Sequence, residues 1–418
     1  MQRVRIAVVG TGISGLASAH YLDKHHDITV FEADRRPGGH SNTVRVDLAD
    51  ETHMVDTGFI VYNEKTYPGL TKLFGELSIA TQASEMSFSV TNDNRGLYWR
   101  GSSLDTVFAQ RSNMARPSFL RMLLDVARFN RLARSQLQSG LGPAVTLDQF
   151  LGGHSWSDAF LDSYLRPLAS SIWSADPAAL SAFPASSFLR FLDNHGLLSA
   201  RNPVQWRTVT GGSTRYVEAI VGRLGRRVRL GVGVEKIVRT DAAVEIHSTE
   251  GDNETFDAVV LATHSDDALR LLSDASQAEH AVLGAIAYQP NVATVHTDVA
   301  MLPPHRRAWA SWNCHVGPAS GPLVEITYLL NRLQNLSSPH ALCVTLNRQH
   351  EIDPSKIVTT MQYAHPVFDT AAFAAQQRWR EINGRQRTWF AGAYWGNGFH
   401  EDGLQSALRV CRALGVEV

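Results

Sequence analysis

Residues 4–15 read VRIAVVGTGISG, and this stretch decides the fold. Ile6, Ala7, Val8 and Val9 form a short apolar run, the mark of a strand buried on both faces. Gly10, Gly12 and Gly15 follow at GxGxxG spacing, with Thr11, Ile13 and Ser14 filling the turn. A helical stretch runs on to Lys24. Gly10 allows the tight strand-to-helix turn, Gly12 lets backbone approach a pyrophosphate, and Gly15 lets helix pack close on strand. The helix N-terminus offers free N–H groups and a partial positive charge to phosphates. A second apolar run, residues 28–31, ends at Glu32 and Ala33. That carboxylate lies about 20 residues past the turn, where ribose hydroxyls are bound. A glycine-rich turn without a ligand is the plainer reading of the three glycines alone. Strand, turn, helix, strand and acid together favour a dinucleotide.

Composition narrows the class. The chain has 418 residues, 44% hydrophobic and 19% charged, as in a globular protein of two or three domains. A formal net charge of −1 supplies no global field that would draw it onto nucleic acid. The cysteines Cys314, Cys343 and Cys411 are odd in number and far apart, which suggests neither a disulfide framework nor a zinc site. No apolar run reaches the ~18 residues needed to span a bilayer, and the N-terminus is too short and polar for a signal peptide. A cytoplasmic location is expected, with peripheral contact on the inner membrane face as an extension of it.

After Glu32 the chain does not continue with a second βαβ unit. It turns through Arg36, Pro37, Gly38, Gly39 and His40 into two alternating segments, 43–48 and 53–57, a hairpin that closes on Asp56-Thr57-Gly58-Phe59. Further on, TVTGGS at 208–213 precedes a helix, and strands are expected at 228–230, 234–239, 244–247 and 256–262. Near the end, TWFA at 388–391 is a buried strand. Gly392-Ala393, then YWGNGFHEDG at 394–403, lead into a helix over 404–414 with Asp402 as a candidate N-cap.

These motifs together resemble the monoamine oxidase and phytoene desaturase superfamily of FAD-dependent enzymes. The resemblance implies an α/β fold: a Rossmann-like FAD-binding domain with an inserted α+β substrate domain made of a mixed sheet and a helical cap. The FAD-binding domain is expected in three pieces, 1–75, 205–280 and 385–418. The substrate domain is expected over 76–204 and 281–384, with the cap at 104–200. By motif, Arg36, Gly38, Gly39 and His40 would line the FAD diphosphate. Gly58, Phe59, Ile60 and Val61 would approach the flavin ring, and Val234 the adenine. Gly392, Ala393, Gly403 and Leu404 would neighbour the cofactor beside a helix N-terminus whose dipole favours reduced flavin. Tyr394, Trp395 and His400 would stand nearest the substrate. His40 occupies a place where many relatives carry arginine.

The segments between are less readable. A helix is expected over 63–77 and another over about 106–138. In the latter, Phe119, Met122, Leu123, Val126, Phe129 and Ala133 form one stripe. Arg111, Arg116, Arg121, Arg128, Arg131 and Arg134 face Asp125 alone among acids. A solvated face over a buried stripe is one reading of 111–134; contact with an anionic membrane surface is the other. Further helices are expected over 147–151, 157–173 and 186–192, broken by Pro167, Pro177 and Pro184. Sheet strands are expected at 288–298, 309–313, 323–329 and 342–346. His296, His305, His315, His340 and His365 show no metal-ligand spacing and read as structural or surface histidines, so no metal is expected. Lys236 reads as a surface strand position.

DTGFIVYNEKTYP, HTD followed by Met301-Leu302-Pro303, SWN and GFHEDG resemble a narrower group of bacterial flavoproteins. That group includes the oxidase domain at the N-terminus of plant cyclopropane fatty acid synthases. It implies hydride transfer from a C–H bond of an unsaturated or methyl-branched fatty acyl substrate to flavin, giving desaturation or isomerisation. His400, Tyr394 and Glu401 are the candidate catalytic residues, with His400 expected to titrate near neutral pH. Many amine oxidases hold a lysine in the substrate sheet; here none lies in 285–346. Covalent members use a cysteine shortly before the closing glycine motif; none lies between Cys343 and Cys411, so FAD is expected to be non-covalent. Two alternatives stand beside this reading. One is a flavin amine oxidase releasing hydrogen peroxide. The other is a non-catalytic, flavin-bearing lipid-binding partner of a fatty-acyl methyltransferase.

Overall fold

The computed structural model describes residues 3–49, 51–140, 145–174, 176, 179–198, 204–318 and 323–418. Pro177, named above, lies outside the described residues. The opening apolar run becomes the strand Arg5–Val9, at the centre of a five-stranded sheet. Val228–Leu230, Asp27–Glu32, Arg5–Val9, Ala258–Leu261 and Thr388–Phe390 lie side by side in that order, all parallel. Val8 pairs with both Val30 and Val260, and all three are fully buried. Burial on both faces is why the run is apolar rather than alternating. The first helix, Ile13–Leu22, is buried along its whole length between this sheet and its neighbours. The closing helix, His400–Ala413, packs against it.

An antiparallel sheet of Val234–Arg239, Val244–Ser248 and Asn253–Phe256 flanks this core. Arg239 at its end is buried, and its guanidinium meets Asp274 at 3.0 Å and Glu279 at 2.5 Å. Removing either acid would leave a buried charge underpaired.

The second large sheet has seven strands. Its order is Ile357–Val367, Ala287–His296, Cys343–Leu346, Glu325–Leu329, Trp312–Val316, Phe88–Asn92 and Leu97–Arg100. It is antiparallel except where Phe88–Asn92 meets Trp312–Val316, so it is the mixed sheet expected. The Trp312–Val316 strand starts later than 309, because the Asn313 amide ties down Ala310: it accepts from the Ala310 N–H at 2.8 Å and donates to the Ala310 carbonyl at 2.7 Å.

Helices account for much of the rest. The 63–77 helix begins only at Pro68, because the Asn63 side chain holds a turn by accepting from the Thr66 N–H at 2.9 Å. Proline suits that first helical position, where its missing N–H costs nothing. The long basic helix is Pro117–Ser139, with Phe119, Met122, Phe129 and Ala133 buried. Asp125 is not on the solvated face: it is 1% exposed and accepts from the Ser157 N–H at 3.1 Å. Over 157–173 the chain stays helical through a wide turn, Leu161–Leu165, that leads into Pro167. Such a widened turn absorbs the hydrogen bond a proline cannot make. No helix among the described residues is long and apolar enough to cross a membrane.

Candidate functional site

The glycine turn is built as its spacing requires. Gly10 has φ +98°, and a Cβ on Gly15 would lie 1.9 Å from the Gly10 carbonyl oxygen. Gly12 differs: nothing stands within 4 Å of a Cβ placed there, and no side chain caps the helix that starts at Ile13. The first turn of that helix therefore presents its N–H groups to open space, the arrangement that receives phosphate. Ser14, in that turn, donates to the Gly403 carbonyl at 2.9 Å, and a Cβ on Gly403 would lie 2.8 Å from Ile13 Cγ2. Gly403 is thus the contact point of the opening and closing helices, with Leu404 buried beside it.

Thr11 ties three sequence motifs together. Its N–H donates to Glu32 Oε2 at 2.9 Å, its hydroxyl donates to the same oxygen, and that hydroxyl accepts from the Gly38 N–H at 3.1 Å. Ala33, next to Glu32, is exposed and faces Gly233, one residue before the partly buried Val234. Gly38 and Gly39 both take positive φ, and a Cβ on Gly39 would lie 3.2 Å from Gly12 Cα. The two glycine turns therefore face each other closely. Arg36 does not point outward; its guanidinium donates to the carbonyls of Gly39 at 2.9 Å and Pro37 at 3.2 Å, fastening the turn. Gly58 is held by His40, since the Phe59 N–H donates to the His40 carbonyl at 2.8 Å and a Cβ on Gly58 would strike that oxygen. Ile60 is buried and accepts from the Thr208 hydroxyl at 2.8 Å, while Val61 is half-buried.

The closing segment differs from expectation in three places. The helix starts at His400 rather than 404, so Asp402 sits inside its first turn and accepts from the Asn397 and Phe399 N–H groups, both at 3.0 Å. Glu401 has both carboxylate oxygens engaged: they accept from the Gly69 and Leu70 N–H groups, both at 2.9 Å, capping the helix Pro68–Glu76. His400 does not titrate near neutral pH. Its ring stacks on Phe59 at 3.8 Å and its Nε2 meets Ser41 Oγ at 2.8 Å and Tyr216 Oη at 3.2 Å; burial pushes it down to about 3. Charging it would put an uncompensated cation among aromatic rings. Tyr394 is buried with its ring against Gly392, and burial raises its hydroxyl well above the usual range. Ser406 accepts from the Gly392 N–H at 2.8 Å, which fixes Gly392 and Ala393 against the closing helix. Trp395 donates to the Phe390 carbonyl at 3.1 Å.

Facing these turns is a ring cluster that sequence patterning did not assemble. His40 stacks on Tyr363 at 4.8 Å and lies 5.3 Å from His365 and 6.1 Å from His264. His264 stacks on Tyr288 at 4.4 Å. Tyr363 Oη in turn meets Thr57 Oγ1 at 2.7 Å and accepts from Asn42 Nδ2 at 3.0 Å, joining the seven-stranded sheet to the hairpin ends. His365 is therefore part of this centre and not a surface histidine; burial pushes it down to about 4. Burial, with neighbouring histidines, holds His40 well below the usual histidine range. The signal lay in alternation: Met361, Tyr363 and His365 are two apart in one strand, hence on one face. His264, with Asp266 and Asp267, opens the helix Ser265–Leu271, where acids in the first turn suit the helix dipole.

These residues fit a dinucleotide flavin. The Gly12 N-terminus is uncapped and open, Glu32 closes the second strand, and His40 Nε2 and Tyr394 Oη are buried polar atoms without a partner among the described residues. Gly12 to Ser14, Gly38 and Gly39 would hold the diphosphate. Gly58, Phe59, Gly392 and Ala393 would flank the ring.

Residues 13–309 match the family described as Flavin containing amine oxidoreductase. The chain belongs to this family of flavin-containing proteins. A Mycobacterium tuberculosis (strain H37Rv) protein carrying the name flavin-containing monoamine oxidase AofH is 29% identical over 279 residues, 62% of this chain and 56% of its own. The chain thus spans little more than half the length of that relative. Among solved structures, cyclohexylamine oxidase from Brevibacterium oxydans and a CLA-producing fatty acid isomerase from P. acnes each share the fold with TM-score 0.69. Each is 16% identical, with 99% of both chains covered.

Proposed function

We propose that the chain is an oxidoreductase that binds FAD non-covalently and acts on a C–H bond of an unsaturated or methyl-branched fatty acyl chain. The observation that carries the substrate class is the aromatic wall over the closing loop. Phe399 stacks on Phe191 at 5.0 Å, Trp173 lies 4.9 Å from Phe191, and Trp173 Nε1 donates to the Asn397 carbonyl at 3.2 Å. Such a wall positions an apolar chain and excludes water. His195, stacked on Phe191 at 3.8 Å, and the rings of the site, His40, His264, His365 and His400, are all shifted toward their neutral forms by burial. A neutral, aromatic surround suits a bond that is not acidic and carries no charge to pair. Bound flavin supplies the two-electron acceptor. Non-covalent attachment is supported by the thiols: Cys314 and Cys411 are buried and pushed up to about 12, so neither offers a thiolate.

The basic helix gives the substrate a source. Its outer face carries Leu120 and Leu124, 40% and 66% exposed and one turn apart, beside exposed Arg121, Arg128 and Arg131. That pairing suits an anionic lipid surface. Pelleting with phosphatidylglycerol vesicles but not with phosphatidylcholine vesicles, lost in Leu120→Glu/Leu124→Glu, is expected; equal pelleting of the variant contradicts this docking mode.

The reaction is tested by incubating holoenzyme with phospholipids of defined acyl chains and analysing those chains by mass spectrometry. A shifted or added double bond supports the reading. Unchanged lipid, with hydrogen peroxide released from a panel of amines, would instead make the protein an amine oxidase.

A further inference from the structure

A cleft of about 600 Å³ opens beside the closing helix, where the helices Thr370–Gln377 and Trp379–Ile382 pass it. Its walls include Gln376, Trp379, Trp395, Arg380, Arg409 and Arg412. None of the glycine turns and none of the clustered histidines lines it. The Arg409 guanidinium lies over the Trp379 indole, 5.3 Å from its centroid. Arg409 Nε and Trp379 Nε1 are both buried N–H donors with no hydrogen-bond partner among the described residues. The acid whose field reaches Arg409 is Asp402, and its carboxylate is committed to the Asn397 and Phe399 N–H groups. Glu381, which neighbours Arg380 in sequence, is paired with Arg378 at 2.8 Å.

Buried donors in native proteins are normally satisfied, so an orphaned pair in a cleft points to a missing acceptor. Water can fill the hydrogen bonds but not offset three guanidinium charges lining one cleft. An anion does both, and the planar fork of arginine matches carboxylate and phosphate oxygens. The two indoles add a flat apolar wall next to that charge.

We propose that this cleft binds an organic anion, a carboxylate or phosphate carried on an apolar body. The proposal stands independently of the reaction proposed above.

Titration calorimetry of the holoenzyme with decanoate, decyl phosphate, decanol and inorganic phosphate tests it. One of the two amphiphilic anions is expected to bind at least about tenfold more tightly than decanol or inorganic phosphate, and which one it is names the head group. Arg412→Gln lies on the cleft wall away from the candidate active site. It is expected to weaken that binding about tenfold while flavin content and melting temperature stay unchanged. Arg409→Gln is expected to weaken it in the same direction. Saturable binding by neither anion, or affinity unchanged in both variants, would overturn the proposal.

Discussion

Asp56 and Ser213 are joined twice: the Ser213 N–H and its hydroxyl each donate to Asp56 Oδ1 at 2.8 Å. The same carboxylate accepts from Thr43 Oγ1 at 2.6 Å and from Gln334 Nε2 at 2.9 Å. One buried side chain therefore pins the hairpin that presents Gly58 to the helix entered at residues 211–213 and to Gln334, which follows the helix Leu330–Leu333. Asp56→Ala leaves four donors facing a void. A loss of roughly 3 kcal/mol in unfolding free energy is expected by chemical denaturation, with flavin content falling alongside. An unfolding midpoint equal to that of the parent would refute the anchoring role.

Gly12 and Gly15 look equivalent in sequence and are not equivalent in space. A Cβ at Gly15 collides with backbone, whereas a Cβ at Gly12 meets nothing. Gly15→Ala is expected to yield little folded protein. Gly12→Ala is expected to fold with near-parental stability as apoprotein, yet to bind FAD at least about tenfold more weakly, because the methyl fills space reserved for phosphate. Flavin released on denaturation and the melting curve of apoprotein give the two readings. Full flavin retention in Gly12→Ala would place the phosphates elsewhere.

Glu401 separates capping from chemistry. Glu401→Gln keeps the shape but weakens two charge-assisted bonds to the helix Pro68–Glu76. A stability loss of about 1 kcal/mol with turnover per bound flavin unchanged is expected. A large fall in turnover at unchanged stability would restore it as a catalytic group.

Burial gives the fold an acid limit and an alkaline one. His296 and His365 are pushed down to about 4 and His400 to about 3, from an ordinary 6.5. The unfolded chain therefore binds more protons than the folded one below about pH 6.5. Their contribution is complete above that pH and is lost on acidification by up to ~1.4 kcal/mol per pH unit for each such histidine. Asp56 runs the other way: burial raises it to about 7. Its contribution is full below the unfolded carboxylate range and is lost as pH rises through 7. Melting temperature is expected to peak at pH ~6–7 and to fall steeply toward pH 4. A flat profile between pH 4 and 6.5 would show that these histidines are not held neutral.

The nucleotide half of the protein was legible because its signals are local. Val8, Gly10 and Gly15 act through chain geometry within a few residues, and Glu32 ends the very next strand. The ring cluster was not legible in the same sense. His40, His264 and His365 come from three distant segments, and only the register of Ile357–Val367 brings Tyr363 and His365 to His40. Glu401 has a related explanation: its place beside His400 in sequence makes it a candidate catalytic residue, but helical geometry carries its carboxylate to Gly69 and Leu70. Asp402 lies inside the helix because the helix begins three residues earlier than a cap at that position allows.

The most direct test of the account is the anaerobic visible spectrum of the purified protein mixed with phospholipids bearing unsaturated or methyl-branched chains. The account predicts a yellow protein whose flavin band bleaches with one such lipid or, if the reaction returns the hydride, a protein whose band stays while the lipid's double bond moves. A protein that releases no flavin on denaturation would contradict it. So would a flavin that amines bleach while every lipid is left unreacted.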